Sequence, residues 1–314
     1  MLKVLAIITV YNEIDIIEYI IDSLLKQGID VHIIDNWSTD GSYETVKMLS
    51  NKDKRVLAER SPPDKPTKTY DWTNLLHRVE EISSTSNYDW IIHHDADEVR
   101  ESAWPKLNLI GGIKRVDLEG FNAIDFAVLD FRPTKNGFNI KHNPEKYFKY
   151  FEMGSQPGNF LQVKAWKNMR QNIDLVSSAG HDTKFKNRRV YPLKFINKHY
   201  SYRSLKQMSI KIKQRKQRMN SQELSKGWHQ HLTITPRLWD KRTLFKFDTH
   251  TFNYSQFRHL DIGETMFNKN SEIKMYIQHM QYLTSSLKSI QGSKFYMVWQ
   301  RYLNFRKLLL NIFN

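Results

Sequence analysis

The segment WIIHHDADEV, residues 90–99, places two histidines and two aspartates directly after three apolar strand formers. In an extended strand, side chains two positions apart point the same way, so Asp95 and Asp97 are expected to present their carboxylates to one spot. Two such anions repel each other, and a divalent cation between them relieves the repulsion. Mg²⁺ and Mn²⁺ prefer oxygen ligands and keep positions open for phosphate oxygens. The pattern therefore predicts a metal site, although a D-x-D triplet also arises by chance about once in a chain of this length.

The overall composition is that of a globular protein. The chain has 314 residues, of which 40% are hydrophobic and 13% aromatic, and this length suggests one large domain or one domain with an appendage. The absence of cysteine excludes disulfides, thiolate zinc sites and cysteine nucleophiles. No apolar run reaches the roughly 18–20 residues of a membrane span, and the N-terminal segment MLKVLAIITVYNE lacks a small-residue cleavage site. We therefore expect a cytoplasmic protein.

The net charge of +15 is unevenly distributed along the chain. No acidic residue lies between Asp182 and Glu223, whereas thirteen Lys and Arg residues occur from Lys184 to Arg218. Such asymmetry favours an anionic partner, namely nucleic acid, a phosphorylated small molecule or an acidic membrane surface. The basic stretch shows no recognisable nucleic-acid-binding module, so nucleic acid is not the expected partner.

Strand and helix patterns alternate in the first hundred residues. LKVLAIITV and VHII predict buried parallel strands, each followed by a helical pattern, at residues 17–25 and 43–49. A further helix is expected to begin at the cap Asp71 and to precede the strand WII. This alternation predicts a doubly wound α/β sheet, in which ligands bind at the carboxyl ends of strands. Asn12, Asp35 and Asp95 fall at such ends.

The later chain is less regular. Residues 119–165 are mixed and strand-rich, residues 200–222 form a basic helical pattern, and roughly the last 40 residues are helical in pattern. The segment 295–313 has the composition of a helix at a membrane interface, and packing against the rest of the protein is the alternative. Signatures of P-loops, dinucleotide-binding turns, H-E-x-x-H zinc sites and G-x-S-x-G elbows are absent from the sequence.

Three motifs in order resemble glycosyltransferase family 2 and related enzymes of the GT-A fold. They are TVYNE at residues 9–13, DNWSTDGS at 35–42 and DADE at 95–98. The resemblance implies an α/β, Rossmann-like, doubly wound mixed sheet with a C-terminal helical extension. The three motifs cover residues 1–100. We expect a nucleotide-sugar-binding half at residues 1–118, an acceptor and metal-completing half of the same domain at residues 119–232, and a helical extension at residues 233–314.

The resemblance implies roles in donor binding for several residues. Those expected to contact the nucleotide sugar are Thr9, Tyr11, Asn12, Glu13, Asp35, Asp40, Asp95 and Arg203. Carboxylate and carbonyl acceptors suit ribose hydroxyls, and an aromatic ring can lie against a base. Asp40 has an alternative role as a cap of the following helix.

The resemblance also implies a metal cofactor, Mn²⁺ or Mg²⁺. Asp95 faces ribose or metal, Asp97 ligates the ion, and His181 and His199 are both candidates for a further ligand because neutral imidazole binds Mn²⁺ beside carboxylates. Lys206 and Lys211, like Arg203, are candidates to pair with diphosphate oxygens. Trp228 is a candidate for stacking on a sugar, with a core position as its alternative.

The expected reaction is transfer of a sugar from a nucleotide diphosphate to an acceptor hydroxyl with inversion. Such transfer needs a base for the acceptor proton, and Asp182 is the candidate, with Asp125, Asp130 and Glu152 as rivals. The expected partners are the nucleotide sugar, a glycan or lipid-linked acceptor and, through the C-terminal helix, the surface of a membrane. The alternative is a non-catalytic basic protein of GT-A fold that docks an anionic partner.

Overall fold

The computed structural model describes residues 2–153, 162–218 and 235–248. The loop GSQPGN at 154–159, the block at 226–231 with Trp228, and the segment 295–313 lie outside the described residues. The predictions made for them stay predictions, as do the three domain boundaries.

Within these ranges, ten strands form one mixed sheet in the order β10-β7-β6-β8-β4-β1-β2-β3, with β9 beside β6 and β5 beside β9. The strands are β1 (Val4–Val10), β2 (Asp30–Asp35), β3 (Val56–Arg60), β4 (Trp90–Asp95), β5 (Glu98–Glu101), β6 (Ala123–Phe131), β7 (Tyr150–Met153), β8 (Val163–Lys167), β9 (Phe195–His199) and β10 (Phe245–Lys246). Strands β4, β1, β2 and β3 are parallel neighbours, whereas β8 runs antiparallel to both β4 and β6. The two predicted halves therefore share one sheet.

The described part of the chain contains six α-helices: α1 (Ile17–Lys26), α2 (Ser42–Lys52), α3 (Trp72–Thr85), α4 (Leu109–Leu118), α5 (Pro144–Tyr147) and α6 (Leu205–Gln217). Helix α3 begins as predicted, because the Asp71 carboxylate accepts a hydrogen bond from the backbone N–H of Asn74. Ser204 caps α6 in the same way, through the N–H of Gln207. Among the described residues, no helix is both long enough and apolar enough to cross a bilayer.

The central strand β1 is buried along its whole length because helices cover both faces of the sheet. Its alternate residues Ile8 and Val10 pack in one cluster with α1 and α4, while Leu5 and Ile7 pack in another with α3. The prediction of a doubly wound mixed sheet is therefore confirmed. Helix α2 is longer than its predicted span of 43–49, and the pattern did not reveal β3, β5 or α4.

Candidate functional site

The carboxyl ends of β1, β2 and β4 meet, as the motif positions predict. In the parallel register, Thr9 of β1 lies opposite Asp95 of β4, and Val10 lies opposite Asp35 of β2. Thr9, Asp35 and Asp95 therefore lie at one edge of the sheet, where α/β folds bind their ligands.

The loops after β1 and β2 are joined by hydrogen bonds among the motif residues. Asn12 has a positive φ of 57° and donates its backbone N–H to the Ser38 hydroxyl at 3.0 Å. Glu13 donates its backbone N–H to the Ser42 hydroxyl at 2.9 Å. The Asp40 carboxylate accepts the backbone N–H of Ser42, the first residue of α2, at 3.0 Å. The N-cap residue of α2 is Gly41, so the Asp40 carboxylate lies just before the cap and bonds the first N–H of the helix. The contacts also explain the hydroxyl residues of the motif.

Asp35 is completely buried beneath these loops. Its Oδ2 accepts the backbone N–H of Ser38 at 3.0 Å, while no described residue supplies a hydrogen-bond partner for Oδ1. Burial raises the pKa of Asp35, an effect that the bonds from Ser38 oppose. The Arg60 guanidinium lies over the rings of Trp37 and Tyr43, at 4.5 and 4.1 Å, and its Nε is 4.0 Å from Asp35 Oδ2. An unpaired buried acceptor at a strand end suits an N–H donor from a ligand.

Asp95 and Asp97 do not lie in one extended segment, so the strand geometry expected for the pair is wrong. Strand β4 ends at Asp95, and Ala96 and Asp97 form a turn before β5. Asp95 Oδ2 accepts a hydrogen bond from Lys164 Nζ at 2.7 Å, whereas Asp97 has other partners. The turn arises because β5 leaves the parallel layer to pair with β9.

Lys211 of α6 connects two strand ends through their carboxylates. Its Nζ is 2.7 Å from Glu13 Oε1 and 2.7 Å from Asp97 Oδ2, and Glu13, Asp97 and Lys211 are all buried. Burial alone would raise the pKa of Asp97, but the charges of Lys211 and His199 hold it well below its usual range. Helix α6 therefore lies across the ends of β1 and β4.

Arg203, immediately before α6, is fully buried and binds the same loop after β1. Its guanidinium donates to the Glu13 carboxylate, to both oxygens of Asp15 at 3.0 and 2.6 Å, and to the backbone carbonyl of Tyr200 at 2.9 Å. These contacts give Arg203 the task of fixing the loop, and its implied contact with a donor stays a prediction. Lys206, the neighbouring candidate, is exposed.

His199 is placed between two aspartates. Its Nδ1 is 2.7 Å from Asp130 Oδ1, and its Nε2 is 3.5 Å from Asp97 Oδ1. Burial alone would lower the pKa of His199, but the carboxylates of Asp97 and Asp130 outweigh it and raise the pKa to about 10. Asp130 therefore orients the imidazole. The sequence analysis had considered Asp130 only as a rival candidate for the base.

His181 and Asp182 lie beside β8, where Asp182 forms a bridge with Val163. His181 Nδ1 is 3.0 Å from the Gln162 amide nitrogen, and burial together with the charge of Lys164 lowers the pKa of His181 to about 4. The Asp182 carboxylate pairs with the guanidinium of Arg188. His181 is therefore a neutral imidazole. Asp182 could accept a proton from a substrate only after it gave up its ion pair with Arg188.

The rival bases are also paired with cations. Asp125 accepts hydrogen bonds from Lys194 and from the backbone N–H of Gln162, and Glu152 accepts one from Arg132 at 2.7 Å. Pairing therefore does not distinguish Asp182 from its rivals.

Sequence reasoning missed an aromatic and cationic cluster at the end of α6. Arg218 lies over the ring of Tyr11 at 4.3 Å and donates to Asn36 Oδ1 at 2.8 Å, while its carbonyl accepts the N–H of Tyr70. Arg218 follows Lys211 by seven residues, and this spacing puts both on one face of a helix. This seven-residue spacing could have indicated that the two cations lie on one face of a helix. The neighbouring sequence does not indicate which elements that face contacts.

The chemistry of the donor atoms fits a divalent ion. Asp97 Oδ1 and His199 Nε2 lie 3.5 Å apart at the strand ends. Because the raised pKa keeps His199 protonated in the free protein, an entering ion would have to displace the Nε2 proton, after which carboxylate and imidazole form a ligand set that Mn²⁺ accepts. Within residues 2–153, 162–218 and 235–248, no three such side chains form a complete ligand group. Mg²⁺ sites commonly use one or two carboxylates and take their other ligands from substrate phosphates and water. Two protein ligands are therefore sufficient for such an ion.

Comparison with known protein families gives a match in the N-terminal part of the chain. The profile of glycosyl transferase family 2 matches residues 5–64, which include the joined loops after β1 and β2. The predicted resemblance to this family is therefore confirmed over these residues. No curated protein matches the chain significantly.

Two solved structures are similar at low identity. S. aureus TarS 1-349 in complex with UDP is 14% identical with a TM-score of 0.36, and the match covers 67% of this chain. This chain spans 65% of the length of that TarS chain. The mannosyltransferase PcManGT from Pyrobaculum calidifontis, in complex with GDP-Man and Mn²⁺, is 13% identical with a TM-score of 0.39, and the match covers 98% of this chain and 80% of that one.

Proposed function

We propose that the protein transfers a sugar from a nucleotide diphosphate to an acceptor hydroxyl, with inversion and with the help of a divalent ion. The observation that carries this proposal is that Lys211 bonds to the carboxylates of both Glu13 and Asp97. These contacts lie at the edge of the sheet where the strands of the family-matched segment end. It brings two of the three motifs to one point, as a donor site requires.

The donor nucleotide is expected at the ends of β1 and β2. Asp35 Oδ1, which has no partner among the described residues, would accept an N–H of the base. Tyr11 would lie along the base or ribose, and Thr9, Asn12 and Glu13 would line the ribose. Asn12 and Asp40 already hold the two loops together, so their contribution is to shape this site.

The diphosphate is expected beside Asp97, at the end of the sheet that α6 crosses. Lys211 is the candidate ammonium because of its position there, and it would exchange one of its bonds to Glu13 and Asp97 for a phosphate oxygen. Asp97 and His199 would hold the metal ion, with Asp95 facing the ribose or the ion, and Asp130 would fix the imidazole orientation. When bound, the ion would stabilise the negative charge of the departing diphosphate as a Lewis acid.

In the transfer itself, the acceptor oxygen forms a bond to the anomeric carbon as the bond from that carbon to the phosphate oxygen breaks. The nucleoside diphosphate leaves with the electron pair, and the acceptor proton passes to a carboxylate. Asp182 remains the candidate for that carboxylate. For Asp182 to act, the Arg188 guanidinium must turn away, which acceptor binding would have to drive.

A nucleotide-sugar panel tests this function, with water as a surrogate acceptor. NMR should detect release of the nucleoside diphosphate from one donor with Mn²⁺, and the first anomer released should be inverted. Asp182→Asn should lower the rate at least about 100-fold if it is the base, whereas Asp22→Asn on α1 should not change it. Release of the retained anomer would contradict inversion. An unchanged rate in Asp182→Asn would exclude Asp182 as the base.

Separate variants test the metal ligands. Loss of a true ligand should weaken Mn²⁺ affinity by at least about 10–100-fold, the scale quoted for outer-shell partners, so His181→Ala and His199→Ala should differ clearly in a calorimetric titration. His77→Ala, an exposed histidine of α3, is the matched control. Equal affinities in all three variants would exclude both histidines.

A further inference from the structure

Exposed lysines cover the outer side of helix α6 and the neighbouring segment between β6 and β7. The helix packs Met208, Lys211 and Ile212 against the protein, so its other side faces solvent. The exposed lysines of the helix and of the segment 132–149 include Lys206, Lys213, Lys216, Lys135, Lys141 and Lys146. We call these lysines the basic surface.

The two parts of the basic surface meet at the start of α6. The backbone N–H of Leu205 donates to Asn136 Oδ1 at 3.3 Å, and the chain neighbours of this pair are Lys206 and Lys135. Strands β6 and β9 are parallel neighbours that end together, and the chain continues from them into the segment and the helix. The basic surface therefore lies beside the end of the sheet that holds the candidate site.

Carboxylates do not balance the charge of the basic surface. Helix α6 contains no acidic residue, and the one acid of the segment, Glu145, is paired with Lys198. Among the described residues, no carboxylate forms an ion pair with a lysine of the basic surface. Helix α3, by contrast, pairs Arg78 with Glu81 at 2.6 Å. Unbalanced charges of one sign repel one another, so the basic surface is most favourable beside a negatively charged partner.

Two exposed isoleucines lie among these lysines. Ile210 is 43% exposed and lies on α6 between Lys206 and Lys213. Ile140 is 50% exposed and precedes Lys141 in the segment. Aliphatic side chains surrounded by lysines are typical of a surface that enters the headgroup region of an anionic bilayer, because the apolar groups leave water while the ammonium groups stay near the phosphates.

Other anionic partners fit the basic surface less well. Nucleic acid bound without sequence preference usually stacks its bases on exposed aromatic rings. In the segment 132–149, Phe138 and Phe148 are buried and Lys135 covers the ring of Tyr147 at 4.5 Å. A single phosphate ion is also too small, since the lysines of α6 alone extend over about 15 Å at the rise of a helix. A layer of anionic headgroups offers negative charge over that distance.

From these features we propose that the basic surface docks the protein on a bilayer that contains anionic phospholipid, with Ile140 and Ile210 in the headgroup region. Helix α6 crosses the ends of β1 and β4 on its buried side, through Lys211. Docking by its outer side would therefore hold the candidate site close to the bilayer. The docking needs neither nucleotide nor metal ion, so it goes beyond the proposed sugar transfer.

Flotation of the full chain with lipid vesicles tests the proposal without nucleotide or metal ion. At low salt the protein should float with vesicles of phosphatidylcholine and phosphatidylglycerol, and it should not float with phosphatidylcholine alone. Flotation should fall at about 1 M salt, where the Debye length is about 3 Å. The triple variant Lys141→Gln, Lys213→Gln and Lys216→Gln should lower the partition coefficient at least about tenfold.

Matched variants separate the basic surface from the net charge. Exposed lysines of α2 and α4 provide the control triple variant, Lys47→Gln, Lys52→Gln and Lys114→Gln, which should lower the partition coefficient less than about twofold. Ile210→Ser should also weaken flotation, whereas Met48→Ser, at a position 44% exposed on α2, should not. All these variants should keep the melting temperature of wild type, because the replaced side chains are exposed.

The proposal is contradicted by any of three results. Wild type does not float with the anionic vesicles, or the two triple variants lose the same amount of binding, which would assign the effect to net charge alone. In the third result, Ile210→Ser floats like wild type and a single-stranded RNA competes with the vesicles, which would make the basic surface a site for nucleic acid. No measurement here uses a nucleotide sugar, so this proposal and the proposed transfer fail separately.

Discussion

Replacement of Arg203 by methionine should destabilise the protein severely. The guanidinium is fully buried, donates to Glu13 and Asp15, and lies 3.9 Å from Asp97 Oδ2. Removing one partner of a buried ion pair costs about 3–5 kcal/mol, because it leaves carboxylates without compensation in a poorly solvated place. That loss is a large part of the roughly 5–15 kcal/mol that stabilises a folded protein.

Urea denaturation followed by circular dichroism measures this effect. Lys206→Met, three residues along the chain and exposed, is the matched control and should stay within about 0.5 kcal/mol of wild type. Arg203→Lys should fall between them, since it keeps the charge but loses the two-pronged geometry. Adding Asp15→Asn to Arg203→Met should recover part of the loss, because it removes the charge of a carboxylate that the lost guanidinium had paired. If Arg203→Met unfolds at the same urea concentration as Lys206→Met, the ion-pair account of this loop is wrong.

Two further predictions concern the buried histidines of β4. Burial lowers the pKa of His94 to about 4, whereas the pKa of the unfolded histidine is about 6.5. As the pH drops from 6.5 to 4 the unfolded state therefore takes up a proton that the folded state does not, and the free energy of unfolding should fall. Urea denaturation at several pH values should show a smaller dependence on pH for His94→Gln than for wild type. Gly180→Ala should destabilise by at least about 1–3 kcal/mol, because a Cβ there would lie 2.8 Å from His93 Cε1 and 2.9 Å from Leu76 Cδ2 at a φ of +83°. An unchanged melting temperature for Gly180→Ala would contradict that packing.

Local patterns predicted the parts of the fold that depend on neighbours in sequence. The Asp71 cap, the buried β1 and the positions of Asp35 and Asp95 at strand ends follow from periodicity and capping. Strand β3 has only Val56 fully buried, and β5 buries the charged residues Glu98 and Arg100, so neither strand shows the apolar run by which a strand is recognised in a sequence.

The long-range pairs of the site could not be predicted. Lys211 meets Asp97 across 114 residues, and Arg203 meets Glu13 across 190, so no local spacing records either contact. The same holds for Asp130 and His199. A basic stretch indicates only that negative charge lies nearby. Here part of that negative charge belongs to the protein's own cluster of carboxylates.

The most direct test of the proposed activity is a calorimetric titration of UDP and of GDP into wild type, Asp97→Ala and Asp22→Asn, each with and without Mn²⁺. One nucleotide should bind wild type and Asp22→Asn more tightly when Mn²⁺ is present. Asp97→Ala should lose that gain while keeping the wild-type circular dichroism spectrum. If neither nucleotide binds wild type, or if Asp97→Ala keeps the full response to Mn²⁺, the metal-assisted donor site proposed at the ends of β1 and β4 is contradicted.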